Sequence, residues 1–201
     1  MLTAQEFYQV FEMATKAYHV ADDVDAVVEN PFNEGTIEHT LFEKNMIDAV
    51  QWHLEDIIRN PEIDPVEALA IKRRIDASNQ RRTDRVEQLD DWFLDQLKGI
   101  TPLPDAGINT ETPAWALDRL SILALKIYHM EQEVARKDAS EEHIARCARK
   151  LEVLRAQYAD LTTSIDQLLA DLNAGRKYMR TYKQMKMYND PETNPVLYGK
   201  K

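Results

Sequence analysis

The sequence is poor in glycine and cysteine: five glycines and one cysteine occur among 201 residues. A single cysteine excludes an internal disulfide framework, and a chain of this length buries roughly 70% of its extended surface without one. Apolar runs long enough to cross a membrane are missing, as is a basic-then-apolar stretch at the start. We therefore expect one helical domain over residues 1–201, in the cytoplasm, without a transmembrane segment.

Basic residues are also fewer than acidic ones, 25 against 35, so the net charge is −10. This balance argues against nucleic acid as a partner, because nucleic-acid-binding surfaces are basic. Residues 176–201 differ: seven basic and two acidic residues give +5 there and leave −15 on the rest. We expect this basic, tyrosine-rich C-terminal segment to continue as a helix over 176–188 and to dock through Val196, Leu197 and Tyr198. The alternative is that it binds an anionic partner.

The few glycines and the eight prolines cluster and leave long windows that can be helical. Helix-capping residues stand at the start of these windows, beginning with Thr3 and its capping-box partner Glu6. The predicted helices cover residues 3–21, 36–59, 64–98, 112–137 and 140–174. No window alternates between apolar and polar residues, so we predict no sheet.

The last two predicted helices suggest how the chain packs. Apolar residues follow a 3,4 spacing along the fifth helix, which is typical of a coiled-coil seam, from Ile144 through Cys147 to Leu172. A three-residue turn precedes that helix, so the fourth helix must lie antiparallel beside it. The fourth is apolar nearly all round and is therefore expected at the centre. The fold class predicted is all-α, an elongated antiparallel bundle of about five helices with a docked C-terminal segment.

Polar residues interrupt the apolar face of the second helix. His53 lies on the face formed by Phe42, Met46 and Ala49, and Asp56 follows three residues later. Asn45 and Trp52 flank the same stripe. One interpretation is a catalytic pair in which Asp56 orients His53 as an acid or base. The other is a buried histidine tied to a carboxylate or a backbone carbonyl for structural reasons.

The third helix is interrupted in the same way, because Ser78, Asn79 and Arg82 replace apolar residues in the middle of its stripe. Lys72 and Asp76 lie about one turn before. Arg82 could bind a phosphate or carboxylate through its planar guanidinium, with Asn79, Lys72 and Asp76 in the same ligand site. Alternatively, the polar residues only fix the register between helices.

Asp118 and Arg119 on the fourth helix complete the candidate ligand-binding set, and His129 lies on the same face as Asp118. We interpret His129 as structural or exposed. No Glu-x-x-His pair occurs, and Glu87 with Asp90 is an isolated acidic pair, so we assign no metal ligands. Glycine-rich phosphate loops and nucleophile motifs are also missing, so no cofactor is identified.

Several short motifs in this order resemble a bacterial all-helical family, the domain of unknown function 4254. The matching segments are Asn45 with 52–56, 72–76, 79–84, 112–113, 118–123 and 186–191. The resemblance implies no reaction. It implies an association with surface-glycan assembly, since members of the family are often encoded near glycosyltransferases.

We therefore hold two hypotheses. In the first, the protein binds or acts on a small anionic ligand, such as a phosphorylated or nucleotide sugar, with His53 and Asp56 as the catalytic pair. In the second, it is a non-enzymatic helical partner of a glycosyltransferase, and the polar cluster is purely structural.

Overall fold

The computed structural model describes residues 2–187 and 190–199. The described part is 67% helical and contains six helices and two short strands. In chain order these are α1 Ala4–Ala21, α2 Ile37–Ile57, α3 Pro65–Gln96, β1 Gly107–Ile108, α4 Pro113–Ala135, α5 Glu141–Asn173, β2 Lys177–Tyr178 and α6 Pro195–Tyr198.

Each long helix begins where the capping chemistry of the sequence predicts. The side chains of Thr3, Thr36, Asp64, Thr112 and Ser140 accept hydrogen bonds from backbone N–H groups in the first turn of α1 to α5. Pro65 and Pro113 occupy the first helical positions of α3 and α4, where no N–H is needed. Gly99 and Gly175 follow α3 and α5 with positive φ angles of 90° and 68°.

The central position of α4 is confirmed, because α4 packs against all four other long helices. Its buried residues include Leu117, Leu120 and Leu125, each with no exposed surface. The 3,4 stripe of α5 faces α4 and α1, and its members are buried or half-buried along the whole helix. The 32 residues of α3 extend about 48 Å at 1.5 Å per residue. The described chain is therefore the elongated all-α bundle that the sequence predicts.

The prediction of no sheet is wrong in one detail. Gly107 pairs with Lys177 and Ile108 with Tyr178, so β1 and β2 form a two-stranded parallel ladder beside the bundle. The same ladder contradicts the predicted helix over 176–188, since the chain turns at Gly175 and continues as a strand. Two residues are too few to produce an alternating pattern that a sequence could reveal.

The ladder directs the C-terminal segment across α3. Lys183 forms an ion pair with Glu87 at 3.1 Å, and the Lys186 ammonium donates to the Thr83 hydroxyl at 2.9 Å. The predicted packing of Val196, Leu197 and Tyr198 is wrong, because they are 69%, 43% and 59% exposed. The lysines of this segment therefore hold it against the helical body, because they bind a carboxylate and a hydroxyl group on α3.

Residues 1, 188, 189, 200 and 201 lie outside the described part of the chain, and with them Tyr188 and Asn189 of the predicted motif and the last two lysines. Among the helices that are described, none combines the length and apolar character needed to cross a membrane.

Candidate functional site

Four charged side chains from three helices meet in the core. Lys44 and Asp48 on α2 are fully buried, and Asp118 on α4 is almost so. The Lys44 ammonium contacts the Asp48 carboxylate and lies 2.8 Å from Oδ1 of Asp118. Arg82 on α3 completes the cluster: its Nε donates to Asp118 Oδ1 at 2.9 Å and its Nη2 to Oδ2. We call these four residues the buried charge cluster.

The two carboxyls of this cluster are shifted in opposite directions. Burial raises the pKa of Asp48, against the opposing effects of Lys44 and of the Ser121 hydroxyl. Burial also acts to raise the pKa of Asp118, but Lys44 and Arg82 outweigh it and hold that pKa below its usual value. Asp118 is therefore the ionised partner of both cations, and the cluster joins α2, α3 and α4 electrostatically.

Asn45 connects the buried charge cluster to α1 and α4 through hydrogen bonds. Its amide Nδ2 donates to the Ser121 hydroxyl at 2.9 Å, and its Oδ1 accepts from the Thr15 hydroxyl at 2.9 Å. The Ser121 hydroxyl in turn donates to Asp48 at 2.6 Å. Because Asn45 has no exposed surface and both ends of its amide are engaged, the structure places it inside the bundle and away from the pocket walls.

Arg82 connects this interior to the surface, because it lines three separate pockets. The first, of about 290 Å³, lies toward α2 and includes Trp52 and Asp56. The second, of about 660 Å³, lies toward α5 and includes Arg119 and Lys126. The third, of about 250 Å³, lies under the C-terminal segment. We call this third pocket the Arg82–Lys186 pocket; its lining is Asn79, Arg82, Thr83, Val86, Trp115, Gln184 and Lys186.

The hypothesis of a His53–Asp56 pair is not supported by the geometry. Asp56 is exposed and lines the 290 Å³ pocket, which His53 does not line. The Nε2 atom of His53 instead lies 3.3 Å from Nε2 of His19 and 3.7 Å from the Asp22 carboxylate. Burial lowers the pKa of His53, while the negative charges of Asp22 and, to a smaller extent, Asp56 act in the opposite direction. His53 therefore contacts His19 of α1 and Asp22, the C-cap of α1, in place of Asp56 on its own helix.

The remaining sequence-predicted residues divide between the pockets and the surface. Trp52 lines the 290 Å³ pocket, and its indole stacks on His129 with 4.8 Å between ring centroids. Lys72 and Asp76 pair with each other on the exposed side of α3. Lys72 is ten residues before Arg82 and therefore lies about 15 Å from it along the helix. Arg119 is largely exposed and pairs with Glu111 at 3.2 Å.

Three residues that the structure shows to be important were not predicted from the sequence: Lys44, Asp48 and His19. Lys44 and Asp48 are four apart on α2, which is normally the spacing of an exposed ion pair, and only their turn toward Asp118 shows that they are buried. His19 stands next to Tyr18 on α1, and no sequence pattern points to it.

The acidic pair Glu87 and Asp90 does not form a shared cation site, because Glu87 binds Lys183 and the Gln184 backbone.

Comparisons with known proteins add the family and nothing about activity. Searches of curated proteins and of solved structures gave no significant match. A scan against protein-family models matched residues 38–181 to the family described as "Protein of unknown function (DUF4254)". The match includes the buried charge cluster and stops before Lys186. Since the matched region is well over half of the chain, the protein belongs to this family, as its motifs indicated.

Proposed function

We propose that the protein binds a small phosphate-bearing ligand, such as a sugar phosphate or nucleotide sugar, in the Arg82–Lys186 pocket. One observation carries the proposal: two cationic side chains, Arg82 on α3 and Lys186 in the C-terminal segment, line this pocket, and none of its described lining residues is a carboxylate. This lining differs from the chain as a whole, which has a net charge of −10. Amide and indole groups of the same lining supply further hydrogen-bond donors.

Arg82 retains donors for a ligand despite its ion pair. Its Nε and one Nη2 proton are directed at Asp118, which leaves the second Nη2 proton and both Nη1 protons. Within the described residues, Nη1 of Arg82 donates no hydrogen bond to another residue. The pair with Asp118 fixes the orientation of the guanidinium, so that its outer edge can bind two phosphate oxygens.

Lys186, like Arg82, is fixed by contacts within the protein and keeps a proton for a ligand. Its ammonium donates to the Thr83 hydroxyl at 2.9 Å and to the Asn79 carbonyl at 3.4 Å, which leaves one of its three protons for a ligand. The pocket volume, about 250 Å³, suits a phosphate with an attached sugar ring and is smaller than most drug-sized sites. The adjoining 290 Å³ pocket offers Trp52 and the carboxylates of Glu55 and Asp56 as a stacking surface and as acceptors for sugar hydroxyls.

The glycan-assembly association implied by the family motifs supports a nucleotide sugar as the first probe. The test is calorimetric titration of the full chain with pyrophosphate and with UDP-glucose at low and high salt. We expect Lys186→Gln to weaken binding at least about 10-fold, because it removes a charge-assisted contact to phosphate. The wild-type affinity should fall as salt is raised.

Lys183→Gln is the matched control. It removes a lysine of the same segment that pairs with Glu87 and does not line the pocket, so its affinity should stay within about twofold of wild type. Lys186 is preferred over Arg82 as the test residue because Arg82 also belongs to the buried charge cluster. Equal affinities of Lys186→Gln and wild type, or no binding of either probe, would contradict the proposal.

A second candidate is the helical partner of a glycosyltransferase. It is favoured by apolar side chains that the C-terminal segment leaves exposed, namely Tyr182, Met185, Met187, Val196 and Tyr198. In that case the buried charge cluster only fixes the helices against one another. The same titration separates the two candidates, because a purely structural partner binds neither pyrophosphate nor UDP-glucose.

A further inference from the structure

Three histidines from three helices meet in the bundle. They are His19 on α1, His53 on α2 and His129 on α4, and one nitrogen of each lies within 4.8 Å of the other two. The closest approach is 3.3 Å, between Nε2 of His19 and Nε2 of His53. Two imidazole nitrogens bound to one tetrahedral zinc ion at 2.0–2.1 Å are themselves about 3.3 Å apart. The spacing of this pair is therefore that of two ligands of one metal ion.

The hydrogen bond made by His19 leaves one of its nitrogens available as a ligand atom. The Nδ1 atom of His19 lies 2.7 Å from the carbonyl oxygen of Thr15. Because a carbonyl only accepts, Nδ1 carries the proton and Nε2 presents its lone pair to the cluster. A histidine that donates its other nitrogen to a backbone carbonyl is the usual arrangement of a metal ligand.

His129 supplies the third nitrogen. Its Nε2 is buried and has no hydrogen-bond partner among the described residues, which is rare for a buried polar atom and calls for an explanation. A metal ion bound to this nitrogen would supply the missing partner. The neutral imidazole is the form that binds a metal ion.

Asp22 provides a carboxylate beside two of the three rings, those of His53 and His19. Its Oδ1 lies 3.7 Å from Nε2 of His53 and 3.9 Å from Nε2 of His19. Asp22 caps α1 in the left-handed conformation, with φ of 52°, which few residues other than glycine adopt and which turns the chain back over the last turn of the helix. Aromatic rings fix the histidines on the other sides. Tyr18 stacks on His53 and Trp52 on His129, and Tyr128 packs against His19 at an interplanar angle of 33°.

A second group of potential ligands in the described chain, Glu133 with His143 and Cys147, lacks these features. The Nε2 atom of His143 lies 2.7 Å from the Glu133 carboxylate, and its Nδ1 lies 3.2 Å from the Arg146 guanidinium. Nδ1 therefore accepts from Arg146 and Nε2 donates to Glu133, so neither nitrogen has a free lone pair. His143 is thus a natural control for His19, His53 and His129.

We propose that His19, His53 and His129 bind one Zn²⁺ ion, with Asp22 as the fourth ligand. Three imidazoles and one carboxylate form a ligand set that zinc accepts in tetrahedral geometry. The proposal is independent of the Arg82–Lys186 pocket, since no residue is shared between them.

The test uses the full chain after removal of metal ions with a chelator. Calorimetric titration with Zn²⁺ should give one site with a Kd below about 1 µM, and His19→Gln, His53→Gln and His129→Gln should each weaken it at least about 100-fold. Titration with Co²⁺ should give the strong visible absorption of a tetrahedral site. His143→Gln should bind both ions like wild type.

Circular dichroism of each metal-free variant checks that it is folded. Asp22→Asn provides a second variant, because Asp22 is 60% exposed and its replacement leaves the packing intact. This variant should bind Zn²⁺ about 10-fold more weakly and shift the Co²⁺ absorption. The proposal is wrong if wild type binds Zn²⁺ more weakly than about 100 µM, or if the three histidine variants bind it as wild type does. Either result would mean that a hydrogen bond between His19 and His53 alone accounts for their contact.

Discussion

At the scale of single residues, several buried polar atoms have no hydrogen-bond partner among the described residues. Asp90 on α3 is an example: it is 3% exposed, and its Oδ1 has no hydrogen-bond partner among the described residues. Burial raises the pKa of its carboxyl, and the nearby Thr112 side chain offsets only part of this effect. The ionised form of Asp90 therefore weakens the folded state at neutral pH.

We expect Asp90→Asn to raise the free energy of unfolding at pH 7 by about 1 kcal/mol, because the amide has the same shape without the charge. The raised pKa means that the folded wild type binds more protons than the unfolded chain just above pH 3.8, so its stability falls as pH rises through that range. The gain from Asp90→Asn should accordingly shrink between pH 7 and pH 4. Urea unfolding at both pH values measures it.

Asp95→Asn is the control for this prediction, since Asp95 lies on the same helix and is exposed. It should change stability by less than about 0.5 kcal/mol at either pH. Destabilisation by Asp90→Asn at both pH values would instead show that the Asp90 charge stabilises the fold.

At the scale of elements, the C-terminus of α5 decides where the last segment of the chain goes. Gly175 has a φ angle of 68°, and a Cβ atom added to it would lie 2.8 Å from the backbone oxygen of Thr101. The carbonyl of Gly175 also accepts from the N–H of Leu103 at 2.9 Å. This close approach aligns β2 with β1 and sends Lys183 and Lys186 across α3.

We expect Gly175→Ala to destabilise the protein by at least about 2 kcal/mol, since it adds a backbone clash to the cost of a left-handed alanine. Gly99→Ala is the matched control, because Gly99 follows α3 with a φ angle of 90° but has nothing within 4 Å of an added Cβ. It should cost about 1 kcal/mol. Equal losses for the two variants in thermal or urea unfolding would show that the contact with Thr101 contributes nothing.

At the scale of the whole molecule, the buried charge cluster ties three helices together around α4. Lys44 has no exposed surface and neutralises two carboxylates, while Arg82 links the same carboxylates to the pockets. A buried ion cluster is costly to form, and removing one member is more costly still, because it leaves an uncompensated charge in the core.

We expect Lys44→Met to lower the free energy of unfolding by about 3–5 kcal/mol, measured by urea unfolding. Adding Asp48→Asn to it should recover at least about 1 kcal/mol, because the double variant removes the unpaired charge as well. Lys16→Met, which breaks the exposed Glu12–Lys16 pair, should cost no more than about 0.5 kcal/mol. A Lys44→Met effect as small as that of Lys16→Met would contradict the stabilising role of the cluster.

Two of the four residues of the buried charge cluster could be predicted from the sequence, but not the contacts between them. Arg82 and Asp118 were identified because polar residues interrupt apolar stripes, and the structure joins them in one ion pair. That pairing takes up the edge of the guanidinium that was expected for a ligand. The sequence places Lys186 in a basic segment and in a family motif, but its position beside Arg82 depends on a ladder two residues long.

The sequence by itself determined the helices, because capping residues, glycine and proline breaks and apolar spacing act within a few residues of one another. Thr112 with Pro113, for example, starts α4 whatever the rest of the chain does. Only the tertiary structure decided that His53 faces His19 and not Asp56, since contacts between helices depend on how each one is rotated against its neighbours. Side chains from three helices form the charge cluster and the histidine cluster alike, and no local pattern encodes such a meeting.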